Sequence, residues 1–177
     1  KPKEILNVER ARRSVPEDNW CTRSTARLAI VAFEFTHTVD HKPGRVNDFL
    51  AYAVLNFWHT KLGQRRSIPI LASPRLYQAI QDVKHAWPCS AALSPRVWRF
   101  ENDDEYRNLI ACRSTDASCY MLGITGSICR TLLQTGARVC GNTDNQFSLV
   151  IVTQHDHAAR WALALENSLS CQTLIPQ

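Results

Sequence analysis

Short apolar runs that alternate with stretches of helical period constrain this chain more than any other feature. The clearest run is "FSLVIVT", 147–153, a buried-strand pattern that is followed at once by the helical "DHAARWALALENSL", 156–169. Earlier, "ARLAIVAFEF", 26–35, reads as a buried strand ending in a polar loop. "RVNDFLAYAVLNFWHTKLG", 45–63, then changes period, with Val46, Phe49, Leu50, Ala53, Val54, Phe57 and Trp58 recurring at three and four; Gly63 suits the helix stop. "SIPILAS", 67–73, is a second short run. The next helix spans 73–87, with Ser73 at the capping position, Pro74 at the first helical position and Leu76, Ile80 and Val83 as its stripe. A weaker strand is expected at 97–100, a short helix at 102–112, a helix at 116–136 and a last strand in "CQTLIP".

This order predicts an α/β fold of three layers, a mostly parallel sheet with helices on both faces. With 177 residues the chain is long enough for one such domain, expected over 25–177. Residues 1–24 carry only scattered apolar anchors and read as an N-terminal polar arm. No apolar stretch reaches the roughly 18 residues that suggest a membrane span.

Right-handed crossovers place the loops after the strand C-termini on one edge of the sheet, where open α/β sheets bind ligands. Three polar loops qualify: 36–44, 73–75 and 153–157. The last, "TQHDH", carries the strongest signal. A helix N-terminus attracts anions, and Arg160 one turn in adds a donor fork for phosphate or carboxylate. Thr153 and His155 are candidate ligand contacts, and His157 is the acid/base candidate because imidazole titrates near neutrality. Thr36 and His37 in the first loop and Ser73 in the second are further candidate contacts. Ser114 and Asp116, in "CRSTDASCY", precede a helical pattern. They read either as caps or as site residues, Ser114 serving as nucleophile beside a base such as His157. A metal-dependent hydrolase using His37, His41, His155 and His157 is an alternative, since histidine is a common ligand of zinc and iron.

The net charge of +5 is spread along the chain, with small clusters in "ERARR" and "GQRR". The same charge favours an acidic small molecule as partner, with a nucleic acid or protein meeting the basic arm as the alternative. The seven cysteines include no CxxC pair, so spacing gives no zinc ribbon. Cys112, Cys119, Cys129 and Cys140 fall in or beside apolar patterns and read as buried free thiols in a reducing, cytoplasmic setting; secretion with some disulfides is the alternative.

"LVIVTQHDHAARWALAL" resembles the C-terminal signature of the SanA/YdcF/ElyC-like family, in which a strand ends in Val-Thr and a His and an Arg three residues later enter the next helix: here Thr153, His157 and Arg160. "RSTDASCYMLGI" is similar to that family's Ser-x-Asn-Thr motif, with Asp116 and Ala117 standing for Asn and Thr. "SIPILAS" is similar to its second strand, although Pro74 and Arg75 replace the usual two glycines. The resemblance implies a Rossmann-like fold and a pocket for a nucleotide-like ligand such as S-adenosylmethionine. It further implies a link to bacterial envelope integrity, and hydrolase or transferase ancestry.

Overall fold

The structure, a computed structural model, describes residues 2–16, 20, 28–35, 44–63, 67–86, 94–101, 117–135, 148–169 and 171–177; within these, the side chains of 2, 86 and 117–122 are not described. Its elements are α1 (Pro2–Arg13), β1 (Ser14–Val15), β2 (Leu28–Ala32), α2 (Arg45–Asn56), β3 (Ile70–Ala72), α3 (Pro74–Ala86), β4 (Val97–Arg99), α4 (Ala117–Gln134), β5 (Ser148–Val152), α5 (His155–Leu169) and β6 (Gln172–Pro176). The six strands form one sheet in the order β1-β6-β5-β2-β3-β4. Every pairing is parallel. This is the expected three-layer, Rossmann-like α/β fold. The expected helix at 102–112 lies outside the described residues.

The strands are apolar on both faces because both are covered. Along β2, Leu28, Ile30 and Ala32 join the core shared with α2 and α3. Their neighbours Ala29 and Val31 join the opposite core, with Ile124, Ile128 and Leu132 of α4 and Trp161, Ala162 and Leu165 of α5. Alternation of side chains along a strand divides one continuous apolar run between two layers.

α2 departs from the expected stripe. The buried residues are Asn47, Ala51, Val54 and Leu55, whereas Phe49 is 74% exposed and Ala53 faces outward. Asn47 turns inward because its Oδ1 accepts the backbone N–H of Phe35 at 3.1 Å. That bond satisfies the end of the β2 strand and sets the rotation of the helix. The α-helix also stops early. Residues Phe57–Lys61 form a π-helical turn closed by Leu62 N–H donating to the Phe57 carbonyl at 3.2 Å. The wider turn holds two adjacent buried aromatics, Phe57 and Trp58. Gly63 then ends the segment at φ +59°, the left-handed conformation that glycine adopts without strain.

The segment read as a polar arm carries regular structure of its own. α1 packs on α5, and β1 pairs with β6, Val15 opposite Pro176. A single side chain fixes this docking. Arg13, only 7% exposed, donates Nε to Glu166 Oε1 at 2.9 Å and a terminal nitrogen to Glu166 Oε2. Another terminal nitrogen reaches the Glu9 carboxylate. Glu166 Oε1 also accepts the Thr173 hydroxyl and the Thr173 N–H. α1, α5 and β6 are thereby joined through one guanidinium. Its periodicity was invisible because its anchor is polar and its partner lies far along the chain.

The cysteines also differ from expectation. Cys129 on α4 is disulfide-bonded, so the reasoning from buried free thiols to a reducing compartment loses its footing there. Cys171 is free and buried, and burial followed by the nearby Glu166 charge pushes its thiol up to about 12. No helix of the described residues is long and apolar enough to cross a membrane.

The Arg13–Glu166 contact gives a pH signature. Burial pushes the Glu166 carboxyl up, but the hydrogen bonds from Arg13 and Thr173 outweigh it and hold the group below its ordinary value. A depressed native pKa stabilises fully above the unfolded value of about 4.3 and stops doing so as pH falls through the native value. We expect Glu166→Gln to cost about 1–2 kcal/mol at pH 7, Glu166 being partly solvated. In thermal melts the gap between variant and wild type should close below the carboxylate range; a gap independent of pH refutes the assignment.

Candidate functional site at the C-terminal sheet edge

Chain direction reverses between β2 and β5. From β2 the chain proceeds through α2 to β3 on one side, and from β5 through α5 to β6 on the other. The expected crevice therefore opens outside the ends of these two strands, where Ala32 pairs with Val152. Phe33 N–H donates to the Val152 carbonyl at 3.0 Å and prolongs the ladder by one step. Phe33 stacks on Trp161 at 4.0 Å between ring centroids and meets Phe100 edge-on at 5.7 Å. These three rings form a buried aromatic cluster beside the strand ends.

The β3 end of this edge is closed by its own side chains. Ser73 is buried, and its hydroxyl accepts the Glu34 N–H at 2.6 Å. Glu34 in turn accepts the Arg75 N–H through its carboxylate at 2.7 Å, in the first turn of α3. The expected cap is therefore supplied across the sheet by Glu34, a tethered anion at the helix N-terminus. Ser73 fastens two loops together at this point. Beyond β4, Glu101 sits buried at φ 64°, a region L-residues seldom adopt, with its N–H donated to Ser127 Oγ of α4 at 2.7 Å.

At the other end, α5 opens one residue earlier than expected, at His155. The side chains of "TQHDH" fan out around the first turn. His157 packs against Phe35 with centroids 5.4 Å apart, bridging the β2 and β5 loops. His155 and Asp156 are exposed and linked, Nδ1 to Oδ1, at 3.2 Å. Arg160 is exposed on the outer flank. Thr153 and His155 line a cavity of about 280 Å³ that Arg160 and His157 do not line.

This cavity sits where β5 and β6 end and α5 begins. Its other walls come from α1 through Arg10, from the α2 flank through Ala53, from the π-turn through Phe57 and Lys61, and from Trp20. No acidic side chain is among its described lining residues. A second cavity, about 260 Å³, lies beside Arg12, Arg13 and Thr173, but there Glu166 is part of the lining and balances the cations. Of these two, the first combines a helix N-terminus with the cationic Arg10 and Lys61.

Of the residues expected from sequence, Thr153 and His155 meet in the cavity, His157 stands beside it, and Ser73 and Arg160 lie elsewhere. Thr36, His37, His41, Ser114 and Asp116 lie outside the described residues. Among the described residues, no group of three or more His, Cys, Asp or Glu could hold a metal ion. Sequence reasoning passed over Arg10 and Lys61. The signal for Arg10 was its place in "ERARR", one turn from the anchoring Arg13; nothing local marked Lys61. Comparison with protein-family models, curated proteins and solved structures finds no match for the chain.

The Ser73–Glu34 bond is directly testable. Ser73→Ala leaves the Glu34 N–H without its partner and should cost about 1–2 kcal/mol in urea denaturation. An unchanged midpoint rules out the loop-fastening role.

Proposed function

We propose that this protein is a small-molecule-binding α/β domain that takes an anionic ligand at the C-terminal edge of its sheet, in the cavity between α1, the π-turn and the first turn of α5. The observation that supports it is convergence. Arg10, Lys61 and His155 come from three separate elements and line one cavity, with no acid among its described lining residues. The N-terminus of α5 adds orphan N–H groups and a partial positive charge. Arginine supplies a planar donor fork and lysine a point charge, the usual pair for phosphate or carboxylate.

Thr153 contributes a hydroxyl beside these cations. Asp156 Oδ1 lies 3.2 Å from the His155 Nδ1, leaving Nε2 for the ligand. The resemblance of "TQHDHAAR" to a family with a nucleotide-like ligand points to the same helix end, although the cationic set here is drawn from other elements. Hydrolase or transferase chemistry belongs to the same proposal, with His157 as acid/base and Ser114 and Asp116 as its expected companions.

Titration calorimetry with inorganic phosphate tests the binding. Each charge-assisted hydrogen bond lost should weaken binding about tenfold to a hundredfold, so Arg10→Ala and His155→Ala should both do so with circular dichroism unchanged. Arg160→Ala should leave affinity within about twofold. Retained affinity in both cavity variants refutes the proposal.

A further inference from the structure

The cavity has two chemically distinct sides. One is polar, formed by the cationic Arg10 and Lys61 and by the His155 imidazole beside the α5 N-terminus. The other is apolar and partly aromatic, with Trp20, Phe57 and Ala53. Trp20 and Phe57 are themselves locked edge-to-face, centroids 4.8 Å apart and planes at 90°, and both are buried. Such a wall is rigid, and it favours a flat apolar group over water. Phe57 and Lys61 open and close the π-turn, an irregularity found often at functional sites and here shared between the two sides.

Size limits the ligand further. About 280 Å³ lies just below the roughly 300–1,000 Å³ of most small-molecule pockets. A ligand no larger than a mononucleotide suits that space, whereas a dinucleotide exceeds it. Charge narrows the acid. Two cationic side chains, an imidazole and a helix N-terminus match a dianionic head better than a single carboxylate.

Resting on the anion-binding reading above, we infer that the ligand is an aromatic phosphomonoester no larger than a mononucleotide. Its phosphate faces Arg10, Lys61 and His155, and its ring lies along the Trp20–Phe57 wall. Ala53 is exposed and outside the core, so Ala53→Trp fills the apolar side without disturbing the fold.

The test is calorimetric titration of the full chain with inorganic phosphate, phenyl phosphate, adenosine 5′-monophosphate and the dinucleotide NAD. Wild-type protein should bind phenyl phosphate or the mononucleotide at least about tenfold more tightly than inorganic phosphate. Ala53→Trp should erase that preference, with an unchanged circular dichroism spectrum showing that the variant is folded. Equal affinity for phosphate and both aromatic esters overturns the inference and leaves the anion site standing. So does NAD binding as tightly as the mononucleotide, or a preference that survives in Ala53→Trp. Failure of all four probes to bind overturns both readings.

Discussion

The parallel pairing of β2 with β5 is the contact on which the rest of the architecture depends. Ten residues in register, nine of them apolar and the tenth Ser148, include no charged group, and all but Val152 are buried between two helical layers. Because the chain leaves these strands in opposite directions, the same pairing determines which helices fall on which face. It also determines where loops separate at the sheet edge. The aromatic contacts Phe33–Trp161 and Phe35–His157 then hold the two departing loops against each other.

A second constraint operates at the flank. Burying Arg13 carries a desolvation cost, which is offset because its donors meet two carboxylates and because Glu166 is itself hydrogen-bonded by Thr173. A paired, geometrically defined charge gives α1 one seating, whereas its apolar residues Ile5 and Val8 remain exposed and provide none. The precision of that seating matters for Arg10, which stands one turn before the clamp and reaches the cavity. Under the proposed reading, the link from stability to ligand binding runs through the backbone of α1.

Much of the fold was legible because period and punctuation agree. Both long β runs, the Pro74 helix start and the Gly63 stop mark their elements locally. What escaped depended on distant partners. α1 shows no clean stripe, since its anchor is an ion pair to a residue 153 positions away. Asn47 displaced the α2 stripe because a backbone N–H at Phe35 needed an acceptor. At the site, Thr153 and His155 were readable as strand-end residues. Helical geometry explains the dispersal of the rest: at 100° per residue, His155 and Ala158 share the cavity flank, and Arg160 turns away from it. Arg10 and Lys61 enter through tertiary packing, which no local pattern encodes.

The Glu34 carboxylate at the start of α3 has a consequence for how the two helix ends compete for solutes. Glycine turns at such positions let a dissolved anion approach the backbone. Here the anion is covalently part of the chain, and a tethered group acts at an effective concentration in the millimolar range or higher. Pro74 and Arg75 can then stand where a glycine pair would otherwise be needed, because nothing external has to come close. Phosphate in the medium therefore meets a helix end at α3 that Glu34 already occupies. Under the proposed anion-binding reading, the fold keeps solutes from α3 with its own side chain and leaves α5 to receive them.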